Sequence, residues 1–113
     1  MKKILGKIKY FLSRSASNGL SYGELKNVIK KNQNVYLIDV RSSQEFKEGY
    51  LLDAINIPIY DLERNISKIV RNKNEIIILY CQSDIRSKKG KKILEKMGYT
   101  NIYFLKHGMD GIG

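Results

Sequence analysis

Residues 75–81 read EIIILYC, the most apolar run in the chain. A strand this apolar is buried on both faces, an arrangement found in parallel sheets covered by helices on each side. The flanking sequence supplies both partners. NVYLIDVR predicts a buried strand over 35–39, AINIPI predicts another ended by Pro58, and NIYFL predicts a last one. Helical stripes alternate with these strands. LSYGELKNVIKKNQN opens with Ser21 and Glu24 at capping-box spacing and places Leu25, Val28 and Ile29 on one face. SSQEFKEGY predicts a short helix stopping near Gly49. DLERNISKIV carries Leu62, Ile66, Ile69 and Val70 as a stripe, and RSKKGKKILEKMG ends with Gly98 at its C-cap. Alternation of this kind predicts a three-layer α/β domain with a mostly parallel central sheet and helices on both faces. Ligands of such sheets bind beyond the carboxyl ends of the strands.

The 113 residues suffice for one small domain. Charge is unevenly spread over it. Lys2, Lys3, Lys7, Lys9 and Arg14 face no acid in residues 1–19, and Arg86, Lys88, Lys89, Lys91, Lys92 and Lys96 face only Glu95 in residues 86–97. The net charge of +10 suits an anionic partner. No motif or aromatic–basic interleaving supports nucleic-acid binding beyond charge, so none is expected. Ile4, Leu5, Ile8, Phe11 and Leu12 recur at near-helical spacing among the lysines. Residues 1–19 are therefore expected to be a basic amphipathic extension that packs on the domain or touches an anionic membrane surface, followed by a domain over 20–113. One cysteine, no apolar run of spanning length and no signal-peptide core lead to a cytoplasmic expectation, peripheral at the membrane where the extension binds lipid.

Cys81, the single cysteine, closes the EIIILYC strand just ahead of a helix. Its position at a strand end is as compatible with an inert, buried small hydrophobe as with a nucleophile. The following QSDIRS favours the nucleophile. A loop entering a helix N-terminus aims unpaired backbone N–H groups at one point, and the helix dipole adds positive potential. A sulfur there is stabilised as thiolate and prefers an anionic electrophile. The expectation is that Cys81 stands in a loop at the site-forming edge rather than in the core, with the amides of residues 82–86 as its cradle. Arg41 and Glu45, four apart, are expected to pair. His107 has no Asp, Cys or His at ligand spacing, so no metal site is expected and a surface or capping role is assigned to it.

Four segments carry a family resemblance: LIDVR (37–41), EFKEGYLLDAINIPI (45–59), YCQSDIRS (80–87) and KKILEKMGYTNIYFLKHGMDG (91–111). In order and over about residues 20–113, they resemble the single-domain rhodanese-like sulfurtransferases. The third resembles that family's active loop, Cys-x-x-x-x-Arg-Ser. The resemblance implies a rhodanese-like domain in which Cys81 takes a sulfane sulfur from thiosulfate or a persulfide donor and passes it to a thiol or cyanide. No cofactor is implied. Gln82, Ser83, Asp84, Ile85, Arg86 and Ser87 would bind the substrate, Arg86 by orienting the loop and attracting the anion, and Ser87 by capping the helix or donating a further hydrogen bond. Asp39 and Arg41 would be framework. The alternatives are a persulfide carrier serving a donor or acceptor protein, and a non-catalytic interaction module. The sequence departs from the pattern at Asp84 and His107, each standing where the family has glycine, at Tyr50 in place of histidine, and at Ile112 in place of tryptophan. Asp84 places a carboxylate near the cradle, where it would oppose a thiolate if it pointed inward, and asks a residue with a Cβ to take a left-handed backbone. Cysteine phosphatases of related fold have five residues between Cys and Arg. The four here make a smaller ring, suited to sulfur and not to phosphate.

Overall fold

A computed structural model describes residues 18–32 and 34–112; the extension expected over residues 1–19 lies almost wholly outside them. Five strands form one sheet in which every pairing is parallel: β1 (Gly19–Leu20), β2 (Val35–Asp39), β3 (Ile55–Asn56), β4 (Ile76–Tyr80) and β5 (Asn101–Leu105), in the order β1-β5-β4-β2-β3. The apolar run at 76–80 is the central strand. Ile77, Ile78, Leu79 and Tyr80 are all fully buried, as a strand covered on both faces requires.

Alternation along the strands divides the core in two. On one side Leu37, Ile78, Tyr80, Tyr103 and Leu105 meet Leu25 and Val28 of α1 (Tyr22–Lys31), with Phe46 of α2 (Ser43–Lys47) packed alongside. On the other, Ile38, Val40, Ile77, Leu79 and Ile102 meet Leu62 and Ile66 of α3 (Ile59–Ile69) and Leu94 of α4 (Ile85–Lys96). Gly90 lets α4 approach closely: a Cβ there would stand 3.1 Å from side-chain carbons of both Leu62 and Leu79.

Local sequence sets the helix ends. Ser21 and Glu24 form the expected capping box, and Ser42 and Glu45 form a second one at the start of α2. Two boundaries differ from expectation. Gly98, at φ +97, lies one residue beyond the C-cap Met97, in the left-handed position that ends a helix. The AINIPI strand shrinks to Ile55–Asn56, because the chain turns at Pro58 into α3. Ile57 and Ile59 still donate to the carbonyls of Asp39 and Val40, which fixes the start of α3 beside the carboxyl end of β2. Among the described residues no helix is long and apolar enough to cross a membrane.

Candidate active site

Cys81 is the first residue after β4, at the carboxyl edge of the sheet. It is not outside the core as expected. It is 1% exposed and packs with Val40, Leu79 and Leu94, so the sulfur lies at the floor of the loop rather than on its rim. The first turn of α4 leaves the N–H groups of Ile85, Arg86 and Ser87 outside the helical ladder. That of Ser87 donates to the Cys81 sulfur at 3.4 Å. The helix N-terminus thus points at the sulfur, as an anion cradle requires.

The outer side of the loop is held by the 3₁₀ turn Gly108–Gly111 that follows β5. Met109 N–H donates to the Cys81 carbonyl at 3.0 Å and Asp110 N–H to the Gln82 carbonyl at 2.9 Å. The Gln82 side chain donates to the Asp110 carboxylate at 2.7 Å. Gly108 fits because it has no side chain. At φ +53, a Cβ on it would overlap the Cys81 carbonyl oxygen and stand 2.5 Å from that of Ser83.

Asp84 occupies the N-cap of α4 with φ −134, so the left-handed backbone expected there is absent. Left-handed residues stand instead across the contact, at His107 (φ 64) and Gly108. The Asp84 carboxylate makes no cap bond to the helix and is engaged by His107. One oxygen accepts from the His107 backbone N–H at 2.8 Å, and the other lies 3.5 Å from His107 Nδ1. Ser87 does not cap α4. It is the third helical residue, and its hydroxyl donates back to the Asp84 carbonyl at 3.0 Å.

The expected Arg41–Glu45 pair does not form. Arg41 turns back to Asp39, with Nη2 2.7 Å from one carboxylate oxygen and Nε 3.1 Å from both, and also donates to the Gly49 carbonyl at 2.6 Å. Asp39 and Arg41 are both buried, and the Arg41 guanidinium carbon lies 5.8 Å from the centre of the Tyr80 ring. Asn56 ties the same turn by donating to the Asp39 and Arg41 carbonyls. Tyr80, whose hydroxyl accepts from Leu51 N–H at 3.0 Å, is made a weaker acid chiefly by burial.

Glu45 pairs with Arg86, 41 residues away in sequence, through two nearly parallel bonds of 2.6 and 3.0 Å. Those bonds, with help from the Ser42 amide and hydroxyl, hold the Glu45 carboxyl at about 2, against an ordinary 4.5. Arg86 is in turn made a weaker acid, chiefly by its hydrogen bonds to Glu45. A carboxyl with a depressed folded value contributes stability above its unfolded value, and that contribution is lost as pH falls. Urea denaturation should therefore show the protein losing stability as pH drops from about 4.5 toward 2, with a shallower loss in Glu45→Gln. Equal slopes would show that this pair is energetically silent.

The structure thus gathers Cys81, Asp84, Arg86 and Ser87 in one loop and helix start, with Ile85 79% exposed on its rim and Gln82 and Ser83 facing the 3₁₀ turn. Asp39 and Arg41 form a separate buried brace. Sequence reasoning missed Glu45 as partner of the loop arginine, and Gly108, Met109 and Asp110 as the loop's outer wall. The signal available for the wall was its place directly after a parallel strand, at the same sheet edge as Cys81. Among the described residues no three His, Cys, Asp or Glu side chains stand together as a metal site would need.

Known proteins share this fold. The rhodanese-like domain family matches residues 21–113. Thiosulfate sulfurtransferase PspE of Escherichia coli is 35% identical over 65 residues, which are 58% of this chain and 62% of that protein. A tRNA uridine(34) hydroxylase of Buchnera aphidicola is 31% identical over 106 residues, 90% of this chain and 34% of that protein. The chain thus spans between a third and two thirds of the length of these curated relatives. The crystal structure of a rhodanese-like domain protein from Staphylococcus aureus superposes with a TM-score of 0.74 at 32% identity, covering 84% of this chain and 90% of that one. With its all-parallel sheet, its cysteine loop and a family match over nearly all the described residues, the chain belongs to the rhodanese-like domain family.

Proposed function

We propose that the protein is a sulfurtransferase that carries a sulfane sulfur on Cys81. The observation that supports this most directly is the Ser87 N–H directed at the Cys81 sulfur from the start of α4, with Arg86 beside it. The Cys81 thiolate attacks the outer sulfur of thiosulfate; a sulfur–sulfur bond forms, the original one breaks, and sulfite leaves with its electron pair. The anionic persulfide then sits among the loop amides, which act as preorganised donors. An acceptor thiolate or cyanide attacks the outer sulfur, and Cys81 leaves as thiolate, completing a ping-pong cycle.

Burial of Cys81 favours a slim donor such as thiosulfate over a bulky one, in line with the activity that names the Escherichia coli relative. The non-catalytic alternative rested on the Asp84 carboxylate, and that group is engaged by His107. Intact mass spectrometry after incubation with thiosulfate tests the proposal. The expected result is a gain of one sulfur, released by cyanide and absent from Cys81→Ser. No gain from thiosulfate or from a low-molecular-weight persulfide would overturn it.

A further inference from the structure

We infer that Asp84 is a positioning residue that leaves the cradle open to sulfur, and not a ligand for the donor; its link to catalysis rests on the sulfurtransferase reading above. An aspartate at an N-cap ordinarily accepts a hydrogen bond from the second or third helical N–H. In α4 the third helical residue is Ser87, and its N–H is the group donating to the Cys81 sulfur. Asp84 and Cys81 are therefore competitors for one donor. A carboxylate capping the helix at its third N–H would take that donor from the sulfur and set a negative charge beside it, which disfavours the thiolate.

The structure resolves the competition with the opposite turn. Asp84 makes no side-chain cap. Its carboxylate is drawn to the His107 backbone N–H at 2.8 Å, with the imidazole of the same residue beside the other oxygen. This N–H points at the loop because His107 is left-handed, and the next residue, Gly108, is pressed against the loop carbonyls. The two residues that depart from the glycines of the family pattern are thus each other's partners. The contact also adds a further tie between loop and turn, beside the Cys81–Met109 and Gln82–Asp110 backbone bonds and the bond from the Gln82 side chain to Asp110.

The rate of Cys81 alkylation by iodoacetamide at neutral pH, divided by its plateau at alkaline pH, reads the cradle apart from access to the thiol and without any sulfur chemistry. Asparagine keeps an acceptor oxygen for His107 N–H and drops the charge; alanine drops both. Asp84→Asn is expected to keep that ratio within about threefold of the unaltered protein. Asp84→Ala should lower it about tenfold, the equivalent of one hydrogen bond to a charged group, in protein shown by urea denaturation to be folded. The rate of sulfur uptake from thiosulfate should follow the same order. A ratio that is unchanged or higher in Asp84→Ala would overturn the assignment, and a higher ratio in both variants would identify the carboxylate as a charge acting directly on the sulfur. If the alkylation order holds but no variant takes up sulfur, the positioning role stands and the sulfurtransferase reading fails.

Discussion

Gly108→Ala is expected to destabilise the protein by about 3–4 kcal/mol and to open the cysteine loop. Two costs combine. A residue with a Cβ held in a left-handed conformation loses about 1–2 kcal/mol, and Gly108 is at φ +53. The new methyl group would also overlap the Cys81 carbonyl, and the only relief is for the turn to back away from the loop. That movement breaks the Met109–Cys81 and Asp110–Gln82 hydrogen bonds, each contributing about 1 kcal/mol. A shift of the urea midpoint measures the first effect. Faster modification of Cys81 by a bulky thiol reagent, from its starting exposure of 1%, measures the second. A variant as stable and as unreactive as the unaltered protein would show that the turn does not wall the loop.

The second large effect is expected at the buried brace. Arg41→Met leaves the Asp39 carboxylate, 0% exposed, with no cation beside it, and should cost about 3–5 kcal/mol. Converting both, as Asp39→Leu with Arg41→Met, should recover a large part of that loss, because a buried ion pair is often no more stable than an apolar pair of similar volume. Recovery should be incomplete, since Arg41 also holds the Gly49 carbonyl and the Asp39 carboxylate also accepts from the Arg41 backbone N–H. Urea denaturation of the two single variants and the double variant gives the coupling. Strict additivity would mean that the brace is not a unit.

What could be read in advance followed the range of the forces involved. The bounds of β2 and β5 and the Ser21 capping box depend on residues within one turn or one strand of each other, and periodicity reports such neighbours directly. The Arg41–Glu45 pairing failed because spacing of four places side chains together only when both lie on one helix. Here α2 begins at Ser43, while Arg41 follows an extended strand and folds back onto Asp39. Glu45 was thereby free to meet Arg86, a contact 41 residues long that spacing cannot show. The depth of Cys81 is likewise set by α3, α4 and the 3₁₀ turn closing over the strand end. For Asp84 the sequence identified the unusual residue and misplaced its consequence. The left-handed backbone moved to His107 and Gly108, and only the folded contact shows that the aspartate and the histidine belong together.

The order of the wall along the chain bears on how the thiol comes to be protected. During synthesis Cys81 and its strand precede the turn by more than 25 residues, with all of α4 and β5 still to be made. Until Met109 and Asp110 arrive, the carbonyls of Cys81 and Gln82 lack those partners, and the sulfur has only part of its cover. The backbone bonds that finish the cradle thus come well after the strand that carries the sulfur, so the nascent thiol stays open to oxidants and alkylating agents until that turn has been made and has folded back.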